Sequence, residues 1–284
     1  MIIDCHVHML TEKGYEDKLV KEVRRLEIQK VCLLAGHPEV GIWGSYMAPN
    51  ERVIRAYGKY PDIIIPFGFI DLGLDPPALV DELFTAGFKG VKFTRARKNY
   101  DDKSFYPIYE KMESRGMIAL FHTGTVLRTP LDKAHEVGSN HLRPIYLDTI
   151  ARAFPNLNII GAHLGNPWYD EASMTLFWNP NIYFDLSGTT LKRKNAAWFR
   201  ETLWWFPETM RRLAPDEDIS FYQNVGDQSH PFDRIVFGTD VPIPEMEQAK
   251  RDYQNIMGDL EIPEPVRKRV WGQNVNGLLR GKVK

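Results

Sequence analysis

The chain is expected to fold as an α/β protein, a TIM (β/α)8 barrel in a single domain. Eight short runs rich in β-branched and aromatic residues recur along it, helical-looking stretches separate them, and ligand-type side chains close several of them. The runs are Met1–Val7, Lys30–Gly36, Ile63–Ile70, Gly90–Thr94, Met117–His122, Leu157–His163, Asn181–Ser187 and Arg234–Asp240. Between them, Glu12–Ile28 sets Leu19, Val23 and Leu26 at helical spacing among charges, and Pro76–Phe84 opens with prolines suited to a first helical turn. Phe105–Ser114, Ile145–Phe154, Ala196–Leu213 and Glu245–Ile256 continue the alternation, and such helices pack outside a parallel barrel.

Two stretches depart from the repeat. Residues 188–233 form a long loop and helix insertion between the seventh and eighth strands, and Glu264–Arg280 adds extra C-terminal helices. Neither has the size or composition of a second domain, so one domain covers residues 1–284. Trp198, Trp204, Trp205 and Phe206 cluster in the insertion. Packing on the barrel is the expected role, with a pocket wall or a homodimer contact as alternatives.

Thirty-six Lys and Arg against thirty-seven Asp and Glu give a net charge of -1, so no basic excess argues for nucleic acid or an anionic membrane. A small molecule is the expected partner. The N-terminus lacks a basic region followed by a long apolar one, and no run approaches the roughly 20 apolar residues of a membrane span. A cytoplasmic address follows as an expectation. The only cysteines, Cys5 and Cys32, lie in apolar runs and read as reduced, buried thiols.

The chemistry collects at the carboxyl ends of the runs, the face that carries the active site in such barrels. In Asp4-Cys5-His6-Val7-His8 a strict period of two sends Asp4, His6 and His8 to one face and Cys5 and Val7 to the other. Two imidazoles converging from one strand suggest a metal. His122, His163 and Asp240 close the fifth, sixth and eighth runs, which makes a cup of three histidines and a carboxylate with one histidine to spare. His37, His135, His141 and His230 lie in loops or at helix edges, without a partner at ligand spacing. His37, following the second run, is the best placed of these, with a structural or substrate-contact role expected rather than metal binding. There is no phosphate loop, no strand-linked GxGxxG, no GxSxG and no CxxC, so nucleotide and redox cofactors are not expected.

On this ordered set, together with a closing Trp271-Gly272-Gln273-Asn274 segment, the chain resembles the amidohydrolase superfamily over nearly its whole length. The likeness is to the amidohydrolase-related branch that includes aminocarboxymuconate-semialdehyde decarboxylase and related metal-dependent enzymes. The resemblance implies that His6, His8, His122 and Asp240 bind one divalent metal, usually zinc. An open zinc site lowers the pKa of its water to roughly 7, and Asp240 would act as general base while His163 stabilises a developing oxyanion. Other branches of the superfamily carry a carboxylated lysine bridging two metals after the fourth strand. Lys92 shares that location, but one metal is expected here, with Lys92 as a cation toward a substrate carboxylate or a neighbouring acid.

Arg95, Arg97 and Arg128 follow the fourth and fifth runs, and at least one of them is expected to bind an anionic group of the substrate. Trp168, after the sixth run, is a further candidate for the pocket wall. These residues lead to a metal-dependent hydrolase of a small, carboxylate-bearing substrate. The alternative is a non-oxidative decarboxylase of a small unsaturated or aromatic acid, for which nearly the same residues are needed. A barrel that merely stores a metal is disfavoured, since acid and base groups ring the cup.

Overall fold

A computed structural model describes residues 1–213 and 230–281. Its strands are β1 (Ile3–His8), β2 (Lys30–Leu34), β3 (Gly41–Ile42), β4 (Ser45–Tyr46), β5 (Ile64–Phe69), β6 (Gly90–Phe93), β7 (Ile118–Phe121), β8 (Ile159–Gly161), β9 (Ile182–Asp185) and β10 (Ile235–Val236). Eight of them pair in parallel in the order β1-β2-β5-β6-β7-β8-β9-β10, and β3 pairs with β4 as a separate hairpin. The sheet nearly closes into a barrel. The Cys5 N–H donates to Phe237 O at 2.9 Å and the Asp240 N–H to His6 O at 2.8 Å, so the segment after β10 meets β1 through backbone hydrogen bonds.

Inside the barrel, Ile3, Cys5, Cys32, Leu34, Phe67, Ile118, Leu120 and Ile160 form one apolar cluster, and both cysteines are free and buried. Outside it, alternate residues of the same strands, such as Val31, Leu33, Val91 and Ala119, join the larger core shared with the helices.

The helices are α1 (Tyr15–Arg25), α2 (Asn50–Lys59), α3 (Ala78–Ala86), α4 (Tyr106–Ser114), α5 (Ile145–Ala153), α6 (Tyr169–Trp178), α7 (Thr189–Arg193), α8 (Ala196–Thr202), α9 (Pro207–Leu213), α10 (Met246–Asp259), α11 (Glu264–Lys268) and α12 (Asn274–Arg280). Two of these, α2 and α6, complete the βα alternation beyond the helices expected from sequence. In α6 the residues Ala172, Ser173, Thr175, Leu176 and Phe177 are all buried, so the apolar stripe is blurred over most of the helix surface. The expected helix Ala196–Leu213 is two short helices, α8 and α9, separated at Leu203–Phe206. Residues 214–229 of the predicted insertion lie outside the described residues.

The aromatic cluster packs on the barrel. Trp205 and Phe206 are 2% and 1% exposed, and Phe177 of α6 lies with its ring centroid 5.0 Å from Trp204 and 5.1 Å from Trp205. Among the described residues no helix is long and apolar enough to cross a membrane.

One expectation fails within β1. Its register with β2 shifts by one residue between Asp4 and Val7, so strict alternation does not hold through Cys5 and His6. Ile3 and Cys5 belong to the interior cluster and Val7 to the outer core. Asp4 is not on a shared face with the histidines as ligand: its carboxylate accepts from the N–H groups of His6 and Thr239, both at 3.0 Å, and from Thr239 Oγ1 at 2.7 Å. A bulge therefore carries His6 into the barrel beside Cys5. Gly238 makes room for it, since a Cβ there would lie 3.0 Å from His6 Cβ and 3.1 Å from Cys5 Sγ.

Candidate metal centre

His6, His8 and Asp240 converge at the carboxyl end of the barrel, each offering one ligand atom, with all three atoms within 4.8 Å of one another. Asp240 Oδ1 lies 3.4 Å from His8 Nε2 and 3.6 Å from His6 Nε2, while Oδ2 lies 3.5 Å from His163 Nε2. His163 and Asp240 were expected as the last residues of their strands, yet both sit past them, with φ of 64° and 45°. Left-handed backbone is strained for residues with a Cβ, so both must be held by their surroundings. Asp240 is pinned by its N–H to His6 O, and the His163 N–H donates to Asp185 Oδ1 at 2.9 Å.

Asp185 is the residue that sequence reasoning missed. It is fully buried at the end of β9, and its Oδ2 accepts from His6 Nδ1 at 2.8 Å. Donation from Nδ1 leaves the Nε2 lone pair of His6 free to face a cation. A partial signal was present, because Asp185 lies near the carboxyl end of the seventh run, two residues before its close at Ser187; its partner, 179 residues away, was not visible. Ser187 Oγ also donates to Asp185 Oδ1. The serine hydrogen is thus used, and His163 Nδ1 donates to Ser187 Oγ at 2.9 Å, which makes Nε2 of His163 a lone pair as well.

His122 stands beside this triplet. Its Nε2 donates to Thr125 O at 3.1 Å, so its Nδ1 faces His163 Nε2 at 3.2 Å with a second lone pair. Two facing lone pairs at that distance repel unless a cation lies near them. Burial pushes the pKa of His163 down and that of His122 far down, so protons do not supply the charge at neutral pH. His8 is likewise pushed down to about 3 by burial, and its Nδ1 is buried without a hydrogen-bond partner. Unprotonated imidazoles and a carboxylate are the donor set a divalent transition metal takes, so these residues fit such an ion. Burial raises Asp240, but the facing His6, His8, His163 and Lys92 outweigh it and hold the carboxyl well below its usual range.

Lys92 is 1% exposed, and its Nζ lies 3.0 Å from His6 Nε2. Burial pulls its pKa down to about 8, against the opposing pull of Asp240 and Asp185. A cavity of about 370 Å³ opens above these groups, and Lys92, Arg95, His8, His37, His122 and Asp240 line it together with an apolar wall that includes Ile42, Trp43, Val126 and Val241. Trp43 was not a sequence candidate. It sits in the two-residue turn between β3 and β4, where Trp43 and Gly44 have φ of 51° and 80°, the mirror-image turn that tight hairpins favour. Tryptophan is not the usual residue at that position, so the hairpin had no turn signature. Lys192 and Glu245, paired at 3.0 Å, also line the cavity.

The expected anion binders separate. Arg95 donates to Leu127 O at 3.0 Å and Thr129 Oγ1 at 2.8 Å and pairs with Asp132, so its fork is committed to the loop after β7. Arg97, Arg128 and Trp168 are not among the residues lining the cavity. Arg97 reaches Ala134 O at 3.4 Å, Arg128 is exposed, and Trp168 lies under the Arg143 guanidinium at 5.6 Å. His37 and His135, which had no visible partner in the sequence, lie with ring centroids 5.2 Å apart.

The family described as Amidohydrolase matches residues 3–280 of the chain. No curated protein matches it. Among solved structures, a TIM-barrel protein from Bordetella bronchiseptica described as uncharacterized superposes with a TM-score of 0.68 at 18% identity, covering 98% of both chains. A protein from Acinetobacter baumannii, described as a probable 2-pyrone-4,6-dicarboxylic acid hydrolase with citric acid bound, gives 0.63 at 12% identity over 98% of this chain and 99% of its own. A dihydroxybenzoic acid decarboxylase from a Polaromonas species, with bound manganese and 2-nitroresorcinol, gives 0.62 at 17% identity over 98% of this chain and 96% of its own. At such identities the likeness is one of fold.

Proposed function

Because the chain belongs to the amidohydrolase family, whose pattern spans residues 3–280, we propose that it is a metal-dependent hydrolase of a small, carboxylate-bearing substrate. The observation that supports this most directly is the convergence of His6, His8 and Asp240 within 4.8 Å of one another, with His8 and Asp240 lining a cavity of about 370 Å³. In this reading those three residues hold one divalent ion, with His122 as the fourth ligand through its free Nδ1. The imidazole-rich set favours zinc, although the Polaromonas neighbour carries manganese.

A divalent ion held there supplies Lewis acidity and makes a bound water easier to deprotonate near neutral pH. Asp240, its carboxyl held ionised and its side chain 16% exposed, would take up a proton from an attacking water at a carboxylate oxygen. His163, held by Ser187 and by its own backbone N–H on Asp185, presents Nε2 toward the oxygen that develops charge. Lys92 offers its ammonium to the substrate carboxylate from the cavity floor. The apolar wall excludes competing water and strengthens these contacts.

A second reading, non-oxidative decarboxylation, draws support from the same wall. Trp43, Ile42, Val126 and Val241 suit the flat face of an unsaturated or aromatic acid, and the Polaromonas neighbour is described as a decarboxylase of dihydroxybenzoic acid with 2-nitroresorcinol bound. The deciding experiment incubates metal-loaded protein in oxygen-18 water with lactones and with hydroxylated aromatic acids. Label in a cleaved product supports the hydrolase, carbon dioxide release without label supports the lyase, and turnover that survives His6→Ala with His8→Ala removes both.

A further inference from the structure

A second group of metal-ligating side chains stands apart from the cup. His37 follows β2, Asp71 follows β5, and His135 lies in the long loop after β7, and each offers one ligand atom within 4.8 Å of the other two. The rings of His37 and His135 meet at 64°. Asp71 is only 9% exposed, and among the described residues no hydrogen bond or ion pair reaches its carboxylate or the His135 ring. Its carboxylate oxygens remain open to solvent, so an ion can reach them.

Burial pushes the Asp71 pKa up, Arg97 opposes that and Asp75 adds to it. His37 feels Glu39 in addition to Asp71, and burial pushes its own pKa down, which favours the neutral ring a metal requires. Asp71, Asp75 and Glu39 leave this corner acidic even beside Arg97, and Arg95 is neutralised by Asp132. The Glu39 N–H donates to His37 Nδ1 at 3.2 Å, so the neutral ring carries its proton on Nε2, and ligation through Nε2 would require the other tautomer and the loss of that hydrogen bond.

We propose that His37, Asp71 and His135 bind a divalent transition-metal ion, separate from the one at His6, His8 and Asp240. Two imidazoles and one carboxylate suit zinc, cobalt or nickel better than magnesium or calcium, and with three protein ligands the remaining positions are open to water or substrate. His37 also lines the cavity that His8 lines, so the ion stands at the edge of the substrate space. The inference does not depend on which reaction the cup performs.

Equilibrium dialysis of the full chain against cobalt(II), followed by its visible absorption, tests it. The native chain should saturate at about two equivalents, and His37→Ala with His135→Ala at about one, while His6→Ala with His8→Ala removes the other. Saturation of the native chain at a single equivalent that the His37 and His135 variant retains overturns the proposal. So does a second equivalent that persists in the His37 and His135 variant, for it would then belong to Lys92 and the cup. Failure of the cup itself reads differently, as no loss in the His6 and His8 variant. Asp71→Asn, which keeps the side-chain shape, should weaken only the second equivalent and guards against misfolding of the loop variant.

Discussion

Asp185 Oδ2 accepts a hydrogen bond from His6 Nδ1 at 2.8 Å, and the other oxygen of the same carboxylate accepts from the His163 N–H at 2.9 Å. One buried side chain at the end of β9 thereby sets the tautomer of one imidazole and the left-handed backbone of another. Asp185→Asn is expected to weaken metal binding by about 10–100-fold, because the ring loses the partner that fixes its orientation and raises its basicity. Competition with a chromogenic chelator measures this; an unchanged dissociation constant would mean that His6 needs no such anchor.

Lys92 gives a pH signature. Its folded pKa of about 8 lies below the ordinary 10.5, so between those values the unfolded chain holds a proton that the folded chain has released. Stability from this group therefore rises with pH across that window, by about 3 kcal/mol in full. Lys92→Met should be more stable than the native metal-free chain at pH 8 by a margin that shrinks toward pH 10.5. Denaturant titrations at both pH values check it, and a constant margin would remove the linkage. Binding of a carboxylate inhibitor should also weaken as pH rises through 8 in the native chain only.

Arg95 is expected to act on the cavity through the loop it holds. Arg95→Met and Asp132→Asn should each speed amide exchange over residues 125–132 by roughly tenfold or more, since both break the same anchor. A rise in KM without any change in exchange would assign Arg95 to the substrate instead.

Trp43 and Arg128 make a matched pair for kinetics. Trp43→Ala removes an indole from the cavity wall and should raise KM by about tenfold with kcat changed less than about twofold. Arg128→Ala, exposed and off the cavity, should leave both constants within about twofold. The reverse pattern would show that the loop after β7 moves over the substrate.

The barrel was legible because its period is local. Each β-branched run and each Gly- or Pro-bounded helix reports only on its own neighbours, and parallel βα units can close in few ways. Helix α6 was not legible for the same reason, since it is buried over most of its surface and carries no single apolar stripe. Helix α2 does carry one, with Val53 and Ala56 buried and Glu51 and Arg55 exposed, and sequence reasoning missed it. The β3–β4 hairpin lacked an Asn-Gly turn, and the register shift in β1 broke the alternation on which the facing of Asp4 was based.

The sequence by itself determined the family, the barrel and the strand ends at which His6, His8, His122, His163 and Asp240 stand, because residue type and local period suffice for these. Tertiary structure alone decided which of them meet. It joined Asp185 to His6 across 179 residues, set Lys92 against the same imidazole, brought His37 to His135 and turned the Arg95 fork toward Asp132. Such contacts depend on how the strands are staggered around the barrel and where each loop returns, and a one-residue shift in register is enough to redirect a side chain.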